Sequence, residues 1–268
     1  MPAIDFDFQR YVARRKGLRA AQVREGAAYA YPGDVRLLRT LDKLRPVQLA
    51  LDETVRLWGQ VARAELLGPA LRASLERYAP VYKAARRCAE ILHIATPAVF
   101  VTPQPGGVLT LGTDEECCIV LAQGLLDKLS DAEILDVLGR ECGRIQNGHV
   151  PFGTALHYLT HARSTLVRWA VRPATLSLAA WARRADISAD RAGLLCARDL
   201  DVSHSALAKV ADGTDRTVLE RRRRALARFA GSAYYRTVIG TESQAGEEGE
   251  SQDDCDAACA RILDDKQD

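Results

Sequence analysis

A glutamate between two arginines lies in the segment GRECGRIQNGH, residues 139–149. In an H-E-x-x-H helix, two imidazoles one turn apart bind one zinc ion, and the glutamate between them deprotonates the metal-bound water. Here Glu141 stands at the glutamate position, but Arg140 and Arg144 stand at the histidine positions. A guanidinium has no lone pair to donate and stays protonated in proteins, so neither arginine can be a zinc ligand.

Two aspartates stand four residues apart in a second segment, WARRADISADRAGLLCARD, residues 181–199. A helical period places Asp186 and Asp190 one turn apart on the same face. The helix also carries a flank of small residues that lets another helix approach closely: Ala185, Ala189, Ala192 and Gly193. This segment therefore predicts a helix that delivers a carboxylate to a site on the first helix.

The first of these helices has a clear start signal. Ser130 and Glu133 form the Ser-x-x-Glu pattern of a capping box. Apolar residues then recur at helical spacing, namely Ile134, Leu135, Leu138, Cys142 and Ile145. Gly148 is predicted to end the helix, with His149 directly after it.

The elements before this helix change in period along the chain. From residue 34 to residue 94, apolar residues recur at three- and four-residue steps, Leu71 and Leu75 among them, which predicts a set of helices broken at prolines 46, 69 and 80. Three short β-rich runs follow, at residues 97–103, 108–113 and 117–122. The predicted fold class is α+β, mostly helical, with a small β-sheet.

Length, composition and charge predict three parts. The 268 residues are 47% hydrophobic and 27% charged, enough for one domain with embellishments or two small ones. The net charge is +2, but ten acidic and two basic residues after position 241 give the tail −8 and leave +10 for the rest. We predict a helical leader (1–33, with an amphipathic helix over 5–25), a domain (34–240) and an acidic tail (241–268). The tail is predicted to be disordered for lack of apolar surface to bury, and docking of the tail on the basic body is the alternative.

The seven cysteines are odd in number and lack the spacing of a disulfide framework. The first residues are charged and contain no apolar targeting segment, so both features predict a reducing, cytoplasmic compartment. Cys255 and Cys259 could face each other on a short helix and bind metal or oxidise, although two isolated cysteines in a tail more often have no such role.

A membrane span is not predicted. The most apolar stretch, residues 165–182, contains Arg168, Arg172 and Pro173, and an arginine in mid-span is costly in lipid. Packing of this stretch on the domain as a pair of helices is favoured over peripheral contact with a membrane.

Three segments resemble the HtpX-like and CAAX-prenyl-protease-like zinc metallopeptidases, peptidase family forty-eight of the metallo class. GLLDKLSDAEILDVLGRECGRIQNGH at 124–149 is similar to the segment containing the H-E-x-x-H helix, and RRADISADRAGLL at 183–195 to the second signature. VLERRRRALARFAGSAYYRTVIG at 218–240 is similar to the closing segment, with Ser232 and Tyr235 in place. The resemblance covers roughly residues 34–240 and implies a zincin-like fold with two core active-site helices.

The resemblance also shows which positions depart from the family. It implies zinc held by two histidines and one glutamate, at the positions of Arg140, Arg144 and Asp186, while Asp190 keeps the family aspartate. Zinc binding depends on the full ligand set, so we predict no zinc or other metal and no cofactor. Glu141 would then be a vestigial general base, and Asp190 and His149 would be supporting residues.

The sequence allows two arrangements of these arginines. Carboxylates that lose a dication are left unpaired, and a buried unpaired charge is costly, so the arginines could form bidentate pairs with Glu141, Asp186 and Asp190. Alternatively, both arginines point to solvent across an open cleft.

The favoured function is a catalytically inactive peptidase homologue, a pseudopeptidase that binds or regulates a protein or peptide partner. The first alternative is an active metallo-endopeptidase or other hydrolase, rebuilt around Glu141 and the arginines or around a relocated metal site at His149, His157 and His161. A module for nucleic acid or another anionic partner is the second. It is disfavoured because the basic run 221–224 lacks stacking aromatics and is expected to be a solvated helix face.

Overall fold

The computed structural model describes residues 26–57, 68–113, 116–160, 172–211, 213, 215–240 and 249–264. The predicted leader helix over residues 5–25 lies outside this part of the chain. The helices are α1 (Pro32–Leu41), α2 (Arg45–Leu57), α3 (Ala79–Ile91), α4 (Gln123–Leu126), α5 (Asp131–Gln146), α6 (Val150–Thr160), α7 (Arg172–Ala197), α8 (Leu200–Val210), α9 (Arg216–Ala230), α10 (Ala233–Val238) and α11 (Gln252–Asp264). The strands are β1 (Leu71–Arg72), β2 (Ala98–Thr102), β3 (Val108–Gly112) and β4 (Cys117–Ala122).

The four strands form one mixed sheet in the order β1-β2-β4-β3. β2 and β4 are parallel, whereas β1 pairs with β2 and β3 pairs with β4 in antiparallel register. Alternate side chains of β4 leave the sheet on opposite sides, so Ile119 and Leu121 enter the main core while Cys118 and Val120 pack in a smaller cluster. The prediction of a mostly helical α+β protein with a small sheet is confirmed.

The two-residue strand β1 corrects one sequence prediction. The sequence predicts a helical stripe that includes Leu71 and Leu75, but Leu71 pairs with Val101 at the edge of the sheet. Both leucines are exposed, at 44% and 64%. Pro69 precedes the strand, and the chain next to a proline favours extended geometry, so the helical spacing of these two leucines is coincidental.

Helix α5 begins where the sequence predicted. The Ser130 side chain accepts a hydrogen bond from the Glu133 amide, and the Glu133 carboxylate accepts one from the Ser130 amide at 2.7 Å. The helix ends at Gln146, and Gly148 adopts a φ of 69°, a left-handed conformation that glycine adopts without steric cost. The turn brings the His149 amide back to the Arg144 carbonyl at 2.9 Å.

Helices α5 and α7 pack closely along each other, as the small-residue flank predicted. A Cβ added at Gly193 would lie 2.6 Å from the Arg140 Cγ, and one added at Gly143 would lie 2.4 Å from the Ala192 Cβ. Neither contact is sterically allowed. Glycine at both positions therefore permits the close crossing that brings the charged side chains of the two helices together.

The prediction of a disordered tail over 241–268 is wrong for residues 252–264, which form α11 and pack against α9 and α10. Its buried face is formed by Cys255, Ala258, Cys259 and Ile262. The overall composition did not indicate this helical stripe, because the acidic residues of the same helix, apart from the buried Asp256, lie at exposed positions. Residues 241–248 and 265–268 lie outside the described part of the chain.

The chain just before α1 also belongs to the core. Tyr29 and Tyr31 are 3% and 4% exposed, so residues on the N-terminal side of the predicted domain boundary at residue 33 pack in the core of the domain.

Among the helices of the described segments, none combines the length and apolar character needed to span a bilayer.

Candidate functional site

Arg140 is buried in the contact between α5 and α7. Its side chain is 3% exposed, and its Nε lies 3.0 Å from the Asp190 Oδ1 on α7. Nε and Nη1 do not meet hydrogen-bond geometry with any described group, so the pair is held by charge more than by directed bonds. The guanidinium of Arg140, at the first histidine position of the motif, therefore faces Asp190, the aspartate that matches the second signature.

Arg144, one turn further along α5, contacts two carboxylates. Its Nη2 donates to the Asp186 Oδ1 at 2.6 Å, and its Nε lies 3.5 Å from the Glu141 Oε1. The side chains of Arg144 and Asp186 are 23% and 25% exposed, so this pair lies at the mouth of the cluster. Of the two arrangements considered from sequence, the structure shows ion pairs and not arginines that point to solvent, but the contacts of Arg140 and Arg144 are single ones and not the expected bidentate pairs.

A third arginine, which sequence reasoning missed, completes the cluster. Arg222 on α9 donates from Nε to the Asp190 Oδ2 at 2.9 Å and from Nη2 to Oδ1 at 2.6 Å. Its Nη1 also lies 3.4 Å from the Asp186 Oδ2. This two-point contact is the bidentate geometry expected of the other two arginines, and it belongs to a residue 32 positions away from its partner.

Arg222 corrects the prediction that residues 221–224 form a solvated face, because its side chain is only 10% exposed. A signal was present in the sequence. Arg222 shares a helical stripe with Ala225, Leu226 and Phe229, all of them buried. An arginine on the apolar stripe of an amphipathic helix indicates a buried partner for its charge.

The cluster balances three arginines (Arg140, Arg144 and Arg222) against three carboxylates (Glu141, Asp186 and Asp190). Burial alone would raise the pKa of Asp186, but the neighbouring guanidinium groups of Arg222, Arg144 and Arg140 hold it well below its usual range. Burial likewise opposes the charge of Arg144 and Arg222, and the carboxylates raise the pKa of both above the usual arginine value. The charged forms therefore stabilise one another.

Glu141, the retained glutamate, is 2% exposed. The Thr110 hydroxyl on β3 donates to its Oε2 at 2.6 Å, while Oε1 faces Arg144. Both carboxylate oxygens thus have partners within the protein. The strand that positions Thr110 forms the sheet edge beside α5, so the sheet contributes directly to the site.

The residues at the zinc-ligand positions do not fit a zinc ion. Two guanidinium groups offer no lone pair, and the remaining carboxylate of Asp186 is already bound by Arg144 and Arg222. Within the described segments, no group of three or more His, Cys, Asp or Glu side chains is arranged to hold a metal. The chemistry of this donor set is that of ion pairing.

His149 occupies a separate buried site. Its Nε2 lies 2.9 Å from the Asp34 Oδ2, and its ring packs edge-on against Trp181 at 5.3 Å between centroids. Asp34 also accepts hydrogen bonds from the Ser188 hydroxyl at 2.6 Å and the Trp181 indole at 2.8 Å. Burial opposes the charge of Asp34, but His149 and these donors lower its pKa. His149 therefore supports the helix packing, through a partner that the sequence did not indicate.

The proposed relocated metal site is not assembled in the described residues. The ring of His157, on α6, packs edge-on against the ring of Tyr158. His149 contacts Asp34 through its Nε2 atom. His161 lies outside the described part of the chain.

A further buried carboxylate lies behind the cluster. Asp136 on α5 accepts a hydrogen bond from the Ser203 hydroxyl of α8. Burial raises the pKa of Asp136 to about 6, against smaller lowering effects of Ser203 and Arg140. The sequence did not indicate that Asp136 is buried, because it falls between apolar positions of the helix.

The crossing of α5 and α7 beside a small sheet, with Glu141 on one helix and Asp186 on the other, defines a scaffold of the metallopeptidase class. The model of peptidase family M48 matches residues 109–242, half of the chain, and the chain belongs to this family. Family membership implies the zincin-like fold. The recognition of the family from its two motifs is confirmed.

One curated relative is the plastoglobule-localized metallopeptidase 48, chloroplastic, of Arabidopsis thaliana. It is 29% identical to this chain over 159 residues, which are 58% of this chain and 46% of the relative. The chain therefore spans about half the length of that protein. No solved structure matches the chain.

Proposed function

We propose that this chain is a catalytically inactive member of peptidase family M48 that acts by binding a protein or peptide partner. One observation carries the proposal. The positions of the two zinc histidines and the third ligand hold Arg140, Arg144 and Asp186, and these side chains are engaged in ion pairs.

Electrostatics argue against a metal at this position. A zinc ion between α5 and α7 would add two positive charges beside three guanidinium groups that cannot lose their protons. It would also have to compete with Arg144 and Arg222 for Asp186. Without a metal to acidify a bound water, Glu141 has no activated nucleophile to generate, and its own oxygens accept from Thr110 and face Arg144.

The same cluster explains why the scaffold persists. Removal of a dication would leave buried carboxylates uncompensated, at a cost of several kcal/mol each. Three arginines now supply the positive charge, and each joins two helices: Arg140 and Arg144 link α5 to α7, and Arg222 links α9 to α7. The helix crossing is retained with ion pairs in place of metal coordination, and the fold remains able to present a binding surface.

Zinc content and peptide hydrolysis test the proposal. The purified chain is expected to contain far less than one zinc per molecule by elemental analysis, and to cleave casein or a peptide library no faster than buffer, with or without a chelator. The variant R140H/R144H/D186E rebuilds the ligand set and should bind zinc, which confirms that the assay detects metal on this scaffold. Stoichiometric zinc in the unaltered chain, with chelator-sensitive cleavage, would contradict the proposal.

We further propose that the chain works in a reducing, cytoplasmic compartment. All seven cysteines are free thiols, and six of them are buried. Buried thiols that pack as small apolar groups need no disulfide to stabilise the fold. Fractionation of cells that express the tagged chain tests this, and recovery with an oxidising compartment would contradict it.

A further inference from the structure

A cavity of about 160 Å³ lies beside the former metal position, where α7, α9 and the end of α11 converge. It is many times larger than the space that one water molecule needs. Asp186 lines one side, so the cavity adjoins the charged cluster described above. Four arginines and one further aspartate share the lining with two apolar side chains, Val218 and Leu263.

The lining carries an excess of positive charge. The arginines are Arg183, Arg184, Arg221 and Arg222, and they outnumber the lining carboxylates, which are Asp186 and Asp264. The two carboxylates do not neutralise Arg183 and Arg184, the two arginines that α7 contributes. Asp186 is bound by Arg144 and Arg222, and Asp264 is 73% exposed and 3.8 Å from Arg184.

The two arginines of α7 have N–H donors that can still bind a ligand. Arg183 is exposed and makes no hydrogen bond or ion pair with any described residue. Arg184 is partly buried and donates to the Ala180 carbonyl at 3.3 Å, and its ion pair with a described carboxylate is the long contact of 3.8 Å with Asp264. Paired guanidinium groups at a concave site favour carboxylate or phosphate groups, because each presents a planar fork of donors.

We infer that this cavity binds the side-chain carboxylates of an acidic peptide segment. The inference rests on the proposed function, since it names the chemistry of the partner that an inactive peptidase scaffold would hold. Val218 and Leu263 give an apolar wall against which the aliphatic stem of a glutamate packs, while the arginines meet its head group. A small inorganic anion would leave this wall without a partner.

Fluorescence anisotropy with a labelled six-glutamate peptide tests the site, with a six-glutamine peptide as the neutral probe and a chelator present throughout. We expect the glutamate peptide to bind and the glutamine peptide not to bind. R183Q/R184Q should weaken the binding at least tenfold. The matched control is R86Q/R87Q, an adjacent, exposed arginine pair on α3 that removes the same charge and should change binding less than twofold.

Equal weakening by the two double variants would reduce the effect to net charge and overturn the inference, as would absence of binding to the unaltered chain. Tighter binding of inorganic phosphate than of the glutamate peptide would overturn the assignment to carboxylates. A thermal melt of R183Q/R184Q verifies its fold, and R221Q provides a second variant of the same cavity. Because the readout needs neither zinc nor hydrolysis, failure here is distinct from failure of the proposed function.

Discussion

Arg222 and Asp190 form a bidentate ion pair between α9 and α7, with Nε–Oδ2 and Nη2–Oδ1 distances of 2.9 and 2.6 Å. The Asp190 side chain is 3% exposed and also faces Arg140. This pair connects the closing helix of the domain to the helix that carries the third ligand position. It is the most directed contact in the cluster, and the stability of the site should depend on it.

Replacing Arg222 should destabilise the fold strongly. Arg222→Ala leaves Asp190 buried beside Arg140 alone, and breaking a buried pair costs about 3–5 kcal/mol. The matched control is Arg228→Ala on the same helix, whose pair with Glu250 is 54% exposed on the arginine side and should contribute about 1 kcal/mol or less. Urea denaturation measures both free energies of unfolding. Equal losses in the two variants would show that the Arg222 pair is not special.

The coupling of Arg144 and Asp186 is open to a double-mutant cycle. Asp186→Ala should lower the free energy of unfolding, because Arg144 and Arg222 both lose a partner. In an R144M background the same change should cost less, with a coupling energy of about 1–3 kcal/mol. Stability unchanged by Asp186→Ala alone would argue against the paired cluster.

Asp136 gives the fold a pH dependence of known sign. Its folded-state pKa is raised to about 6, whereas the unfolded value is about 3.9. Between these values the folded state binds more protons, so this group's contribution to stability falls as the pH rises from about 4 to about 6 and stays low above that.

Asp136→Asn removes this penalty, because an amide oxygen can still accept from Ser203. The variant should be more stable than the unaltered chain at pH 7.5, by about 2–3 kcal/mol at most, and the difference should shrink towards pH 4. Chemical denaturation at several pH values measures it. A difference between the two chains that does not vary with pH would disprove the assignment, and Asp42→Asn, at an exposed position, controls for loss of one charge.

The docking of α11 depends on a buried ion pair. Arg191 on α7 is fully buried, stacks over Phe229 at 4.7 Å, and donates to the Asp256 Oδ1 at 2.7 Å. Asp256→Ala leaves this charge without its carboxylate and should cost about 3 kcal/mol or more. Asp253→Ala, at an exposed position in the first turn of α11, is the control. Thermal melts that shift alike for both variants would show that α11 docks without this pair.

Gly193 should tolerate no side chain. An alanine Cβ would lie 2.6 Å from the Arg140 Cγ and 2.9 Å from the Asp136 Oδ2, so Gly193→Ala should cost about 1–3 kcal/mol through overpacking. Gly153→Ala on α6 is the matched control. Its Cβ meets nothing within 4 Å, and the change should stabilise that helix by up to about 1 kcal/mol. Denaturation that ranks the two variants in the opposite order would contradict this packing.

The local elements of the core were predictable from sequence because their signals are local. The capping box of Ser130 and Glu133, the β-rich runs of the three longer strands and the glycine at 148 are signals that act within a few residues. The helical period predicted both helices, and the family resemblance assigned Arg144 and Asp186 to ligand positions of one site. An ion-paired replacement of the metal was therefore one of two open arrangements.

Partners brought in from distant segments were not predictable in this way. Arg222 lies in a run of four arginines in which helical phase alone decides which one is buried, and its partner lies on another helix. Asp34 meets His149 across 115 residues, and α11 hides its apolar stripe within an acidic composition.

The sequence by itself determined that the two histidine positions of the H-E-x-x-H pattern offer no nitrogen lone pair to a zinc ion, since residue type alone decides whether a lone pair exists. Only the tertiary structure decided where the arginine charges go. Burial makes an unpaired charge costly, so the packing of α5, α7 and α9 selects one set of ion pairs from many that the sequence allows.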